Sequence, residues 1–436
     1  YILDADDKSG VIKGLYLKDD FQGTNFIGNE QNMRLNVWWK QRYVPEKSQR
    51  IPMHCWTGDI VLKSRKSELE EWSPMHTFLS DDIRSVSYEE NSITTLYSGN
   101  SSNAGGLQNL NIKQVYKLGG DAIIWSITIE NTSSNELEIG ELGLPIILNT
   151  LSGIPGDEKQ GFNVRSVDST KYVYEQRVID HYFVSGHSSY ILATRPSGKG
   201  DHLLIIPQKD TSLEAVAEGG VITNTKMMIA VGPIFYLFSR TAAKKPWYNG
   251  HSSLTLSPGE KKEFSFKICR ARDYQDIDEK LYENGNIAMK IAPGMVLPKD
   301  TTGHLLLQCK KQIKDIKTSA GIEVKTAGNL GDRHTYTVRL KSTGQQKVTV
   351  HYGDNEWTNL LFYGIEPIET LMKERARFIT KNQQVKDPDD ICQYSFRMWN
   401  NNTDDLVIKK AAFCDMIDMG GGSDRNFAPP VFLSAK

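Results

Sequence analysis

Ile123, Trp125, Ile127 and Ile129 alternate with Ile124, Ser126, Thr128 and Glu130. A period of two puts the first four side chains on one face of a β-strand and the others on the opposite face. The turn cluster Asn131-Thr132-Ser133-Ser134-Asn135 follows, and Leu137 and Ile139 restart the alternation. This predicts a long antiparallel strand pair with Trp125 in the core. Similar short apolar runs are read as strands at 172–178, 189–194, 203–207, 235–239 and 253–256. Phe264, Phe266 and Ile268, alternating with Lys267 and followed by Arg270, close the series. Strands with turn signals every 8–12 residues are the pattern of a β-sandwich. The fold class read from residues 1–272 is therefore mainly β, one large antiparallel sandwich.

The chain then changes character. Asp273 is a suitable N-cap, Ile277 and Leu281 stand four apart, and Gly285 is a stop signal, so 273–299 reads as a linker helix. Strands return at 305–309, 322–326, 335–340 and 347–352, and 300–364 reads as a small separate β-sandwich module. Pro367 occupies a first-turn position, and Ile368, Leu371, Met372, Phe378 and Ile379 fall on one helical face. A second helix is expected over about 389–399. A third is expected to start at Asp404-Asp405, carry Leu406, Ile408, Ala411, Ala412 and Ile417, and end at Gly420-Gly421-Gly422. The segment 365–436 is thus read as the start of a helical domain. Three helices need partners to bury their apolar faces, so the chain is expected to be the front part of a larger protein.

Composition narrows the function. The 436 residues carry 52 basic and 53 acidic side chains, a net charge of −1, and 39% are apolar. The expectation is no nucleic-acid partner, because that footprint is a basic stripe or domain. No run approaches the ~20 apolar residues of a membrane span. Cys55, Cys269, Cys309, Cys392 and Cys414 lie far apart without a C-x-x-C pair, so they are read as buried thiols rather than a disulfide or zinc framework. His181 and His187 give no convergent ligand set, so no metal and no cofactor is expected. There is no P-loop, nucleophile elbow or dinucleotide fingerprint.

Several local stretches resemble a known class. They are Thr24-Asn25-Phe26-Ile27-Gly28-Asn29-Glu30, Trp56-Thr57-Gly58-Asp59-Ile60-Val61-Leu62, Ile123-Ile124-Trp125 through Asn131-Thr132, Gly140-Glu141-Leu142-Gly143-Leu144-Pro145 and Gly420-Gly421-Gly422-Ser423-Asp424. With the order sandwich, linker helix, small module, helices, the chain resembles secreted six-hairpin glycosidases of Bacteroidota, of a domain-of-unknown-function type. In these a galactose-mutarotase-like β-supersandwich precedes an (α/α)6 toroid. The resemblance implies a secreted, periplasmic or cell-surface protein with a carbohydrate substrate. It also implies the remainder of the toroid as a covalent continuation or second fragment.

Glycoside hydrolysis needs two carboxylates about one bond. Asp415 and Asp418 are three apart on one helical face, and Asp424 follows the glycine run beside Arg425 and Asn426. The resemblance implies that such helix-to-helix loops line a sugar cleft. The same residues also fit a solvated helix face and a turn cap. Trp38, Trp39, Trp247 and Tyr248 lie in polar loops and offer flat surfaces for sugar C–H faces, or pack the loops onto the sandwich. Trp56 and Asp59 join them as candidate substrate contacts. Trp38, Trp39, Trp56, Asp59 and 420–426 are expected to converge where sandwich meets helices. The reading is a glycoside hydrolase acting on a polysaccharide or oligosaccharide. The alternatives are a polysaccharide lyase, which needs a Tyr or His base, and a non-catalytic glycan-binding protein.

Overall fold

A computed structural model of the chain describes residues 1–29, 55–77, 84–98, 107, 109–150, 167–217, 221–222, 227–228, 233–243, 245–391, 393–396, 399–400 and 405–406. Side chains are described for all of these except 167–170, 172, 221–222, 227–228, 400 and 405–406. The described chain is mainly β, built from antiparallel sheets.

The largest sheet has eight strands. Their order is Ile179–Phe183, Tyr190–Thr194, His202–Gln208, Lys261–Ala271, Ala122–Asn131, Leu110–Gly119, Ser92–Tyr97 and Arg84–Glu89. The second sheet runs Ala215–Ala217, Ile234–Phe238, Leu137–Pro145, Val61–Arg65 and Ser73–His76, with Leu254–Leu256 also paired to Leu137–Pro145. One face of each sheet enters a common core. Trp125, Ile127, Ile129, Phe264, Phe266 and Ile268 come from the first sheet, and Leu62, Ile139, Leu142, Leu144, Phe235 and Leu237 from the second. The alternation read from sequence holds: Ile123, Trp125, Ile127 and Ile129 are buried, and Ile124, Ser126, Thr128 and Glu130 are half-buried. Trp125 lies 5.3 Å from the Tyr116 ring at 12°, and its indole N–H donates to Gln114 Oε1 at 3.1 Å.

The helix Tyr274–Glu283 covers part of the other face of the eight-stranded sheet. Ile277 and Leu281 pack with Leu192, Leu204, Ile206, Cys269 and Ala271. This explains why 203–206 is apolar at every position: Leu203 and Ile205 face the common core, while Leu204 and Ile206 face the helix. Asp273 caps the helix by accepting from the Asp276 amide at 2.8 Å. Gly285 follows the helix at φ +82°.

Further on lie two four-stranded sheets. One runs Ala288–Ala292, Thr302–Gln308, Arg333–Leu340, Ile322–Leu330. The other runs Val296–Pro298, Glu356–Ile365, Gly344–Tyr352, Ile313–Thr318, its first pair parallel. The chain divides into two compact units. The first comprises Tyr1–Met289, Leu307–Lys317 and Thr349–Leu360, and the second Lys290–Leu306, Thr318–Val348 and Leu361–Lys436.

Three expectations are corrected. The run 172–178 is not a strand: Val167–Gln176 is an α-helix. Its aromatic and β-branched residues favour strands locally, but distant side chains take its last carbonyls. Thr24 donates to Glu175 O at 3.0 Å, and Asn149 to Gln176 O at 3.0 Å. The described residues of 389–399 form no helix either. Ile368–Phe378 is helical and continues as a π-helical turn, Ile379–Gln383. Beyond it the chain folds back through turns, with Asp390 N on Asp387 O at 3.2 Å and Gln393 N on Asp390 O at 2.8 Å. Tyr394 has φ +65°, and Gln384 bridges Phe396 antiparallel. Trp399–Asn400 then pairs with Asp405–Leu406, so Asp405 lies in a strand pair rather than at a helix start. Carboxylates that satisfy nearby backbone amides compete with helix here: Asp387 Oδ1 accepts from Asp389 N at 3.0 Å. The rest of the expected third helix, 407–419, lies outside the described residues.

Candidate functional site

Trp38, Trp39, Asp415, Asp418, Asp424, Arg425 and Asn426 lie outside the described residues, so the expected convergence with Trp56 and Asp59 has no described geometry. Trp56 and Asp59 share one tight turn. Asp59 N donates to Trp56 O at 2.9 Å, and Trp56 N donates to Asp59 Oδ2 at 2.9 Å. Asp59 Oδ1 accepts from Thr77 Oγ1 at 3.1 Å. Gly58 between them has φ +101°, a conformation that favours glycine. The carboxylate is 1% exposed and the indole 8%. This aspartate closes its own turn inside the sandwich.

Trp247 and Tyr248 sit together, their rings 4.6 Å apart and tilted by 40°. The Tyr248 hydroxyl donates to Val184 O at 2.7 Å, while Trp247 remains 40% exposed. Glu214 ties the two ends of the loop that carries them. It accepts from Ser239 N at 2.5 Å, Ser239 Oγ at 2.6 Å, Ser252 N at 3.0 Å and Ser252 Oγ at 2.6 Å. His251 Nδ1 lies 2.7 Å from the same Ser239 hydroxyl. The order Glu214–Ser239–His251 differs from a hydrolase triad, where the acid must orient the histidine rather than the serine. It is an anchor for the loop.

A third cluster escaped the sequence reading. Strand register places Ala215, Tyr236, Gly143, Val61 and His76 side by side across four strand pairings. This row lies on the face of the six-stranded sheet opposite the common core, where Cys55, Val61, Ala215, Ile234 and Tyr236 form a small cluster. A Cβ on Gly143 would come within 2.7 Å of Ile234 Cγ2 and 2.8 Å of Tyr236 Cε1, so only glycine lets those side chains lie over the strand. Two residues along, Lys63 faces Glu141 directly, and Nζ meets Oε2 at 2.9 Å. Thr241 donates to the same oxygen at 3.1 Å, and Glu141 is 1% exposed.

Past a bulge, Arg65 binds Glu138 with Nε at 2.8 Å and NH2 at 2.6 Å. Arg240 joins the same carboxylate, and the Arg65 guanidinium covers the Trp72 ring at 4.3 Å. Burial opposes ionisation of Glu138, but Ser253, Arg65 and Arg240 outweigh it and hold the carboxyl below its usual range. Burial, with Lys63 nearby, pushes the His76 imidazole down to about 4, so it is neutral at ordinary pH. Burial and the Glu141 charge push the Tyr236 phenol upward, so it stays protonated. On this face the carboxylates Glu141 and Glu138 are thus paired with Lys63, Arg65 and Arg240, and Glu141, Tyr236 and His76 are buried. The signal was legible in Gly140-Glu141-Leu142-Gly143-Leu144. Under the period of two, Glu141 and Gly143 share the face opposite Leu142 and Leu144.

Among the described residues no group of three His, Cys, Asp or Glu side chains could hold a metal ion. No helix among them is long and apolar enough to cross a membrane. Cys55 and Cys269 are buried free thiols and Cys309 is a half-buried one.

A family model matches residues 40–422. The chain belongs to DUF5695, a family of unknown function. No curated protein matches this DUF5695 chain. Among solved structures it is similar to a polysaccharide lyase, at 15% identity and a TM-score of 0.69, covering 96% of this chain and 54% of the lyase. It therefore spans about half the length of that enzyme, and the likeness concerns the fold. A putative aldose 1-epimerase of Escherichia coli K12 matches with a TM-score of 0.31 at 11% identity, over 62% of this chain and 95% of its own. An α-galactosidase of Geobacillus stearothermophilus matches at 0.24 and 10%, over 65% and 41%.

Proposed function

We propose that this DUF5695 chain is part of an enzyme that cleaves a polysaccharide or oligosaccharide, and that it does so by elimination. The observation that carries the reading is the likeness to a polysaccharide lyase across 96% of the chain. In elimination a base removes the proton beside the uronate carboxylate and the glycosidic C–O bond breaks. The leaving oxygen takes a proton, and a C=C double bond remains in the sugar. A carbohydrate polymer as substrate implies a secreted, periplasmic or cell-surface protein.

Hydrolysis is the second reading, favoured by the sequence Gly420-Gly421-Gly422-Ser423-Asp424-Arg425-Asn426. Here Asp424 would serve as the base, held ionised by Arg425, with Asp415 or Asp418 as a further carboxylate and Asn426 on a sugar hydroxyl.

One assay separates the two. The full-length protein is incubated with uronate-containing and neutral polysaccharides. New reducing ends are counted beside the ultraviolet absorbance of an unsaturated uronate. Elimination yields both signals on uronate polymers alone. Reducing ends without absorbance support hydrolysis, and neither signal on any polymer refutes cleavage.

A further inference from the structure

We propose that the braced loop between Ser239 and Ser252 is a saccharide-binding platform whose contact surface is Trp247. The proposal rests on the carbohydrate reading above for its ligand class, and on loop geometry for its place.

The neck of the loop is closed three times: by Glu214 on both serines, by Arg240 N on Ser252 O at 3.1 Å, and by His251 beside Ser239. Its far side is pinned as well. Asn249 Nδ2 donates to Val184 O and Glu214 O, each at 2.9 Å, and its Oδ1 accepts from Asn359 Nδ2 at 2.9 Å. His251 Nε2 lies 3.1 Å from Lys245 O, and Gly250 N donates to Trp247 O at 3.0 Å. Tyr248, Asn249, His251 and Ser252 thus spend their polar groups on holding the loop. Trp247 joins this bracing through its carbonyl, while its ring lies against Tyr248 and the residue stays 40% exposed, next to exposed Lys245 and Pro246.

A Trp 40% exposed forgoes part of the free energy that full burial would supply, on the order of 2 kcal/mol for a whole large apolar side chain. A loop with this many anchors could have turned the ring inward; instead it holds the ring outward. A ring fixed in advance loses little conformational entropy when a flat ligand stacks on it. A pyranose offers a C–H face of matching size, with hydroxyls at its rim for hydrogen bonds.

The test uses the full-length protein in native gels containing cellulose, xylan, polygalacturonate, chitin or arabinogalactan. Trp247→Ala should bind its polysaccharide about tenfold more weakly, the scale of one lost aromatic contact. Trp247→Phe should recover most of the binding, and both variants should keep the parent's circular dichroism and unfolding midpoint. Retardation of Trp247→Ala equal to that of the parent overturns the platform, as does a parent that none of the five polymers retards. Cleavage by the parent is scored separately. A parent that binds through Trp247 and cleaves nothing keeps the platform and removes the enzyme reading. One that cleaves while Trp247→Ala binds normally does the reverse.

Discussion

Glu141 is a buried carboxylate whose one cationic partner in the register is Lys63, directly across the strand pair. Removing the ammonium strands the charge in the sheet, so Lys63→Met should destabilise by about 2–3 kcal/mol in urea unfolding. The double variant Lys63→Met/Glu141→Leu should recover most of that loss. If it does not, the cost lies in packing rather than in an unpaired charge. His76 carries a pH signature. Its ordinary value of 6.5 falls to about 4 in the folded chain because burial, and then Lys63, disfavour the charged ring. The unfolded chain therefore binds the extra proton first as pH falls. Stability is complete above about pH 6.5, is lost between there and about 4 by about 3 kcal/mol, and then levels off. His76→Gln should flatten that limb of a pH–stability curve. Asp6 works lower. Burial opposes its ionisation, but Lys13, Ser9 and the Lys8 amide outweigh it and depress the carboxyl. Its contribution is present above the ordinary aspartate range and disappears as pH falls beneath it.

At the scale of elements, the helix Tyr274–Glu283 was legible because its signals are local: an N-cap at Asp273, Ile277 and Leu281 four apart, and a glycine after the end. Asp273→Ala should cost about 1 kcal/mol in thermal or urea unfolding, and Asp273→Ser should restore most of it. Val167–Gln176 was misread because its local preferences point to a strand. Thr24 and Asn149, which take its terminal carbonyls, come from other parts of the chain. The segment around 389 was misread because a helical pattern of apolar residues carries no information about the turns at Asp387 and Asp390. At 203–206 an apolar run was assigned correctly to a strand, although the reason for it, a helix covering the second face, appears only in the packing.

For the whole molecule, the two sheets around one core predict where local opening is hardest. Amides of Ala122–Asn131 and Lys261–Ala271, in the middle of the eight-stranded sheet, should exchange hydrogen most slowly. Faster exchange there than in Arg84–Glu89, at the sheet edge, would contradict the strand order. The sequence by itself determined the mainly antiparallel β class, the inward face of Ile123 to Ile129, the helix after Asp273 and the aromatic loop at Trp247. Each rests on the spacing of near neighbours, and the period of two is enforced by backbone geometry alone. Only the tertiary structure decided that Asp59 closes a buried turn, that Glu214 anchors Ser239 and Ser252, and that Lys63, Glu141, Tyr236 and His76 share one face. Those groups are brought together by cross-strand register, which joins residues far apart in the chain and which the alternation within one strand does not reveal.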